Sequence, residues 1–374
     1  MMRPKLSILA IACPPGARLR GRRGFTLLEL ITAVAISLVV LLGLYGLFIA
    51  QSRQFLYQDM LMNMNQNMRF AVDIITRSGR MAGYGTGGLV YGELGHDGTT
   101  VASGSTLPAV ISYNAWDGEH DAVTFVYGDP ALEMMSSLAT LPCNSTGLSF
   151  PMGRQGYPNL ISNYESGDLL LCWDYAPSTG TVSYLWSINA AGDATSGSIG
   201  IVSNSGAFAD YDGICSSAQN LPPVLHCSRA QIITFYIDDT EDGIGPGSPE
   251  HPVLMMDLDF DFPVTGPSGD DIPLVDDIED LQLAYCGPDS VTSNPDCSDP
   301  SQWRNSLADV SEMSTVWMVR VSVVSRSSKV DKRSIHNEKR PALEDHAEGS
   351  GDHYWRSVLT TSVTVRNLRM RYVP

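Results

Sequence analysis

The chain has 374 residues, with 24 basic and 41 acidic side chains and a formal net charge of −17. So acidic a protein lacks the positive surface on which nucleic-acid binding depends, and that class of partner is excluded. About 290 residues lie beyond the long amino-terminal helix expected over residues 25–82, enough for one large core or two smaller ones.

Basic residues crowd the start: Arg3, Lys5, Arg18, Arg20, Arg22 and Arg23, with no acid among them. Gly24 closes this stretch. An apolar run of 26 residues, Phe25 to Ala50, follows, and the single charge within it is Glu29. As a helix it would reach about 39 Å, enough to cross a bilayer with some tilt. No proline breaks it, although Gly43 and Gly46 weaken its far half. The cations ahead of it place the amino end in the cytoplasm and the remainder across the membrane. The run exceeds the apolar core of an ordinary secretory signal, whose cleavage site follows the core, whereas here the basic-Gly junction precedes it. A carboxylate in a membrane-length helix is costly and calls for a functional explanation.

Gly24-Phe25-Thr26-Leu27-Leu28-Glu29-Leu30 resembles the type III signal of type IV prepilins and type II secretion pseudopilins. The resemblance implies cleavage between Gly24 and Phe25 by a membrane aspartyl peptidase, followed by N-methylation of Phe25. It also assigns Glu29 to the glutamate of the mature helix. Cleavage would create an amine one helical turn before Glu29. In a water-free bundle, the carboxylate of one subunit would neutralise the amine of the next, because a buried charge is tolerated only when paired. The alternative is a glutamate that reaches back to the headgroups. The implied leader, residues 1–24, is long for the pilus members and contains its own apolar patch from Leu6 to Cys13. A start near Leu19 is expected instead, which would leave Leu-Arg-Gly-Arg-Arg-Gly.

Removing the six leader cations from 24 basic residues leaves 18 against 41 acids, a mature charge near −23. Cys13 leaves with the leader. Cys143, Cys172, Cys215, Cys227, Cys286 and Cys297 remain, an even number that in an exported domain reads as up to three disulfides. Sequence proximity favours Cys215–Cys227 and Cys286–Cys297, leaving Cys143–Cys172. Cys-x-x-Cys, the usual mark of a zinc site, is missing.

After Ala50 the helix is expected to continue, amphipathic, through residues 51–82. Leu61, Met64, Met68, Ala71, Val72 and Ile75 recur every three or four positions, and Gln51, Arg53, Asn63, Asn65, Gln66, Arg69, Asp73 and Arg77 supply a polar face. Such a stripe reads first as the face buried on the protein's own sheet. The Gly83-to-Gly88 stretch stops the helix.

Residues 83–230 read as a loop-rich β insertion or lobe, with strands at 121–127, 168–173 and 181–188 and a flexible stretch at 190–205. Residues 231–374 read as a more regular antiparallel β region. Its strands fall at 231–237, 252–262, 276–285, 316–326 and 356–366, with a charged loop at 329–351. Within it, Ile278 to Tyr285, Trp317 to Arg326, and Tyr354-Trp355-Arg356 leading through Thr360-Thr361 to Val365-Arg366-Asn367 resemble the PilW-type minor pilins. That resemblance implies an α+β, pilin-like fold. Its long amino-terminal helix, transmembrane over residues 25–50, would pack on an antiparallel sheet head carrying a large loop-rich β elaboration.

No catalytic pattern emerges. The histidines at 96, 120, 226, 251, 336, 346 and 353 form no His-Glu-x-x-His, and neither a Gly-x-Ser-x-Gly elbow nor a Walker A loop is present. Asp257, Asp259 and Asp261 alternate with Leu258, Phe260 and Phe262. A strand would place three carboxylates on one face and three apolar groups on the other. Asp238 and Asp242 also stand where a calcium loop would begin, but Glu250 falls one place beyond the twelfth position. A solvated strand face and a polar turn are the simpler reading, and Ca²⁺ held by one of these segments is the sharper one. The Asn144-Ser145-Thr146 sequon carries little weight in a chain of this length.

The resemblances imply a noncatalytic minor pilin that is processed by prepilin peptidase and helps to initiate pilus assembly. A type II secretion pseudopilin and a pilus-borne adhesin are the alternatives. The implied partners are other minor and major pilins, the peptidase, the inner-membrane assembly platform and membrane lipid. The implied location is the bacterial inner membrane with the head in the periplasm, then the filament at the cell surface.

Overall fold

A computed structural model describes residues 24–92, 106–135, 147–149, 157–176, 180–193, 198–201, 226–239, 251–258, 271–288, 294–330 and 337–369. The chain divides into two compact units, residues 1–59 and 60–374.

Helix α1 (Leu27–Met81) runs for 55 residues. Leucine is its commonest residue, and it lacks proline, so propensity favours an unbroken helix. It stops at Gly83, whose φ of +83° suits glycine. A Cβ there would lie 2.7 Å from the Leu368 side chain. In the first unit the helix is exposed on every face from Leu27 to Phe48. In the second unit Met64, Met68, Ala71, Val72 and Ile75 are buried in a single stripe at helical spacing.

The second unit is built on strands β1 (Leu89–Gly92), β2 (Thr106–Pro108), β3 (Val110–Tyr113), β4 (Ala122–Gly128), β5 (Met134–Met135), β6 (Gly147–Ser149), β7 (Leu169–Ala176), β8 (Gly180–Asp193) and β9 (Ser198–Ile201). It continues with β10 (His226–Asp238), β11 (Val253–Asp257), β12 (Ile272–Asp276), β13 (Ile278–Cys286), β14 (Met318–Arg326), β15 (Glu338–Lys339), β16 (Gly351–Asp352) and β17 (Arg356–Thr364). A 12-stranded sheet follows the path β12-β11-β10-β7-β8-β1-β2, and β4 also pairs with β10. Pairing is antiparallel except between β1 and β8. A separate three-stranded sheet has the order β13-β14-β17. The architecture is α+β: a long apolar helix followed by antiparallel sheets, as the pilin-like expectation requires.

The helix stripe joins the two sheets into one core. Met68, Ala71, Val72 and Ile75 pack in a cluster with Phe125, Ile233 and Phe235 of the large sheet. Leu281, Leu283, Val321, Val323 and Val363 of the three-stranded sheet belong to the same cluster. Burying each such side chain contributes on the order of 2 kcal/mol. The second face of the large sheet is also covered. Ala122, Tyr236 and Met255 are buried there, with Tyr113, Trp116 and Val253 against them.

Several sequence expectations are corrected. The boundary at 230/231 falls inside β10, which pairs with β4, β5 and β7 from the preceding region and with β11 from the following one. Strand pairing crosses the composition change because main-chain hydrogen bonds do not depend on side-chain content. The stretch 190–205, read as flexible, contributes the end of β8 and the strand β9. The expected strand 276–285 is broken by Asp277, at φ +61°, between β12 and β13. It passes from the large sheet to the small one. The charged segment 329–351 contributes an ordered strap, residues 337–352, in which β15 pairs with β16. Arg320 holds Glu344 of the strap through two bonds of 2.8 and 2.6 Å.

Candidate processing and assembly site

The amino-terminal site rests on the first turn of α1. Gly24, Phe25 and Thr26 precede the helix in non-helical backbone. Gly24 has open space around the position of a Cβ, and Phe25 is 89% exposed. Among the described residues no side chain crowds Gly24, and the Gly24–Phe25 bond lies outside the helical hydrogen-bond ladder. A peptidase needs both conditions to bind a scissile peptide in extended form.

Thr26 is the residue that the sequence reading missed. It caps α1 in a reciprocal arrangement: Thr26 Oγ1 accepts from the Glu29 backbone N–H at 3.2 Å, and Glu29 Oε2 accepts from the Thr26 backbone N–H at 3.0 Å. The Thr26 hydroxyl also donates to Glu29 Oε2 at 3.0 Å. This is a capping box, and its signal, Thr-x-x-Glu directly before an apolar run, was visible in the sequence. The carboxylate is thereby folded back toward the start of the helix, one residue from the nitrogen that cleavage at Gly24 would free. The helix α1 is long and apolar enough to cross a membrane, and its apolar stretch is not buried.

The cysteines pair differently from the expectation. Cys172 and Cys227 form a disulfide with Cα atoms 4.0 Å apart, and Cys286 joins Cys297. The first overturns both Cys215–Cys227 and Cys143–Cys172. Antiparallel β7 and β10 set Cys227 directly opposite Cys172, although 55 residues separate them in sequence. Cys143 and Cys215 lie outside the described residues.

The acidic candidates are not gathered. Asp238 pairs across β10–β11 with Val253 and Asp257 with Thr234, so the two stand four strand positions apart, about 13 Å. Asp257 ends β11 and is buried, whereas Leu258 is 45% exposed. The expected outward carboxylate and inward leucine are reversed at these two positions. The reason is that β11 is covered on both faces, with Leu254 in the main core and Met255 in the second cluster. Asp242, Asp259, Asp261 and the sequon at 144–146 lie outside the described residues. Among the described residues no group of three His, Cys, Asp or Glu side chains is placed to hold a metal ion. His226 and His251 each meet one carboxylate, Glu133 at 2.7 Å and Asp277 at 3.1 Å.

An exposed, capped, membrane-length helix with a helical stripe packed on antiparallel sheets defines a membrane-anchored, pilin-like protein. Comparison with known families agrees at both ends of the chain. The prokaryotic N-terminal methylation motif matches residues 19–45, and Type IV Pilus-assembly protein W matches residues 234–367. Together the two matches support a type IV pilin-family protein, PilW-like, related to the minor pilins of the type IV pilus. The second match begins within β10 and covers the three-stranded sheet and the strap. Pilins and the pilus assembly machinery are the general class of partner that this family implies. No curated protein and no solved structure matches the chain significantly.

Proposed function

We propose that the chain is made as a prepilin, cut between Gly24 and Phe25, methylated at Phe25, and incorporated as a minor pilin that helps to initiate pilus assembly. The observation that carries this reading is the open Gly24–Phe25 peptide two residues ahead of a capped apolar helix. Its head faces the periplasm before assembly and the cell exterior afterwards, the orientation supported by the cluster of cations in residues 3–23. A head of about 290 residues on every subunit would crowd a filament. That favours a priming or tip-proximal place for this one. The head acts as a noncatalytic assembly element and needs no resident cofactor.

In this reading Glu29 has two successive partners. Before assembly the Thr26 hydroxyl and backbone N–H satisfy its Oε2. After cleavage the amine of Phe25 on a neighbouring subunit pairs with it, which sets the axial register of adjacent helices. The capping box supports this order, because a carboxylate held at the helix start is already placed at the end of the helix where the amine appears.

Mass spectrometry of the protein from cells with an active prepilin peptidase tests the processing step. The expected mature terminus is N-methylated Phe25, and an intact leader would refute the proposal. Glu29→Ala should leave cleavage intact and remove the protein from sheared pili. Unchanged incorporation would rule out the charge pair while leaving the processing step standing.

A further inference from the structure

Among the described residues, a cluster of titratable groups lies where the turn between β3 and β4 meets β13 and the strap. His120 is at its centre and is 4% exposed. Its Nδ1 stands 2.5 Å from Asp117 Oδ2, and its Nε2 stands 3.0 Å from the Glu279 carbonyl oxygen of β13. A carbonyl oxygen has no proton to give. Asp117 is a carboxylate. Burial opposes its ionisation, but hydrogen bonds from the His120 ring, from the His120 backbone at 2.7 Å and from the Glu119 backbone at 2.8 Å hold it below the usual range. Both ring nitrogens therefore face acceptors, and both bonds form only if both nitrogens carry a proton.

The contact is a junction rather than a local turn. Asp121 N–H donates to the Leu281 carbonyl at 3.0 Å, and Asp121 Oδ2 accepts from Leu283 N–H at 2.7 Å. Gln282 Nε2 reaches the Glu119 carbonyl at 3.0 Å. Residues 119–121 thus run along the outer edge of β13. From the strap, His346 Nδ1 meets Asp280 Oδ2 at 2.9 Å, Arg340 Nη1 meets Glu119 at 3.3 Å, and the His346 ring stands edge-on to His120 at 6.5 Å. Asp239, after β10, faces His120 from further off. The charged and titratable groups around His120 are thus Asp117, Glu119 and Asp121 from its own turn, and Asp280 from β13. Arg340 and His346 come from the strap and Asp239 from the end of β10.

We propose that His120 is a buried imidazolium clasp that ties the β3–β4 turn to β13 and lets go as the medium becomes alkaline. Losing either ring proton sets a nitrogen lone pair of the buried ring against an oxygen lone pair, and the bond to Asp117 or to Glu279 becomes repulsive. The electrostatics run the same way. Burial disfavours the charged imidazole, yet the Asp117 carboxylate, with Asp280 and Asp239 adding to it, raises its proton affinity above the ordinary value. A group whose affinity is raised on folding contributes stability that is complete below its ordinary range and is lost as pH rises through its folded value. Asp121 moves in the same direction. Burial pushes it up to about 7 against the two backbone N–H groups it accepts. Its contribution is present below the ordinary aspartate range and gone above about pH 7. Burial likewise raises Asp280, although Gln282, His346, His120 and Arg340 oppose the rise. The junction is therefore tight in mildly acid medium and loosens as the medium becomes alkaline.

The test uses the full-length chain in detergent micelles with ¹⁵N-labelled histidine. At about pH 7 the His120 ring should show two protonated nitrogens, while an ordinary exposed histidine is mostly neutral. A neutral His120 ring at that pH would overturn the proposal. The signal is assigned by its loss in His120→Gln, or by its shift in Asp117→Asn if His120→Gln does not fold. Asp117→Asn should lower the pH at which the ring titrates. The thermal midpoint of the wild type should fall between about pH 6 and about pH 8.5, and His120→Gln, or Asp117→Asn in its place, should at least halve that fall. An equal fall in the variant would show that His120 is not the clasp.

Discussion

The two halves of α1 are one continuous helix with two different apolar patterns. From Leu27 to Phe48 leucine, valine and isoleucine occupy every face, and all of it is exposed. From Met64 to Ile75 the buried residues occupy one stripe, and the polar residues between them point outward. An all-round apolar surface needs an apolar solvent, here lipid or other helices, whereas a stripe needs one packed face. The first half is apolar on every face, whereas the second confines its apolar residues largely to one face and fills the other with polar ones.

Four changes break or sharpen this contrast. The largest effect should come from removing the Cys172–Cys227 disulfide as a double serine variant. By loop entropy, a 55-residue separation implies a loss of about 4 kcal/mol from the second unit, read by denaturant unfolding. Ile75→Ala should cost about 3 kcal/mol in the same assay, because Ile75 is fully buried between both sheets. Thr26→Ala should remove both hydroxyl bonds of the cap. A cap of this kind contributes about 1 kcal/mol, so amide exchange at Leu27 to Leu30 should quicken several-fold while the head is unchanged. Val39→Ala, a truncation of comparable chemistry to Ile75→Ala in the exposed half, should shift head stability by less than about 0.5 kcal/mol. Equal losses for Val39→Ala and Ile75→Ala would erase the distinction between the halves.

The same contrast explains why the two disulfides differed in legibility. Cys286 and Cys297 are 11 residues apart, so proximity in sequence pointed to them. Cys172 and Cys227 meet because β7 and β10 are neighbours, and no local signal states which remote strands will pair. Asp257 failed for a related reason. Alternation along a strand says which residues share a face but not whether that face meets water, and the second buried cluster covers it. The strap was read as a loop from its charge, yet Glu344, His346 and Arg340 are held by Arg320, Asp280 and Glu119. A run of charges is locally indistinguishable from a solvated loop until its partners on β13 and β14 are in place.

The sequence by itself determined the Gly24–Phe25 junction, the membrane-length apolar run, the helix stripe and most strand positions. Each of these depends on residues within a few turns or a few strand positions of one another. The capping box belonged to this group too, although only the structure drew notice to Thr26. Tertiary structure decided the Cys172–Cys227 pairing, the continuity of β10 across the expected boundary, the burial of Asp257 and the setting of His120. Each of these is fixed by contacts between segments far apart in the chain, where hydrogen-bond register and covered faces, rather than local pattern, select the outcome.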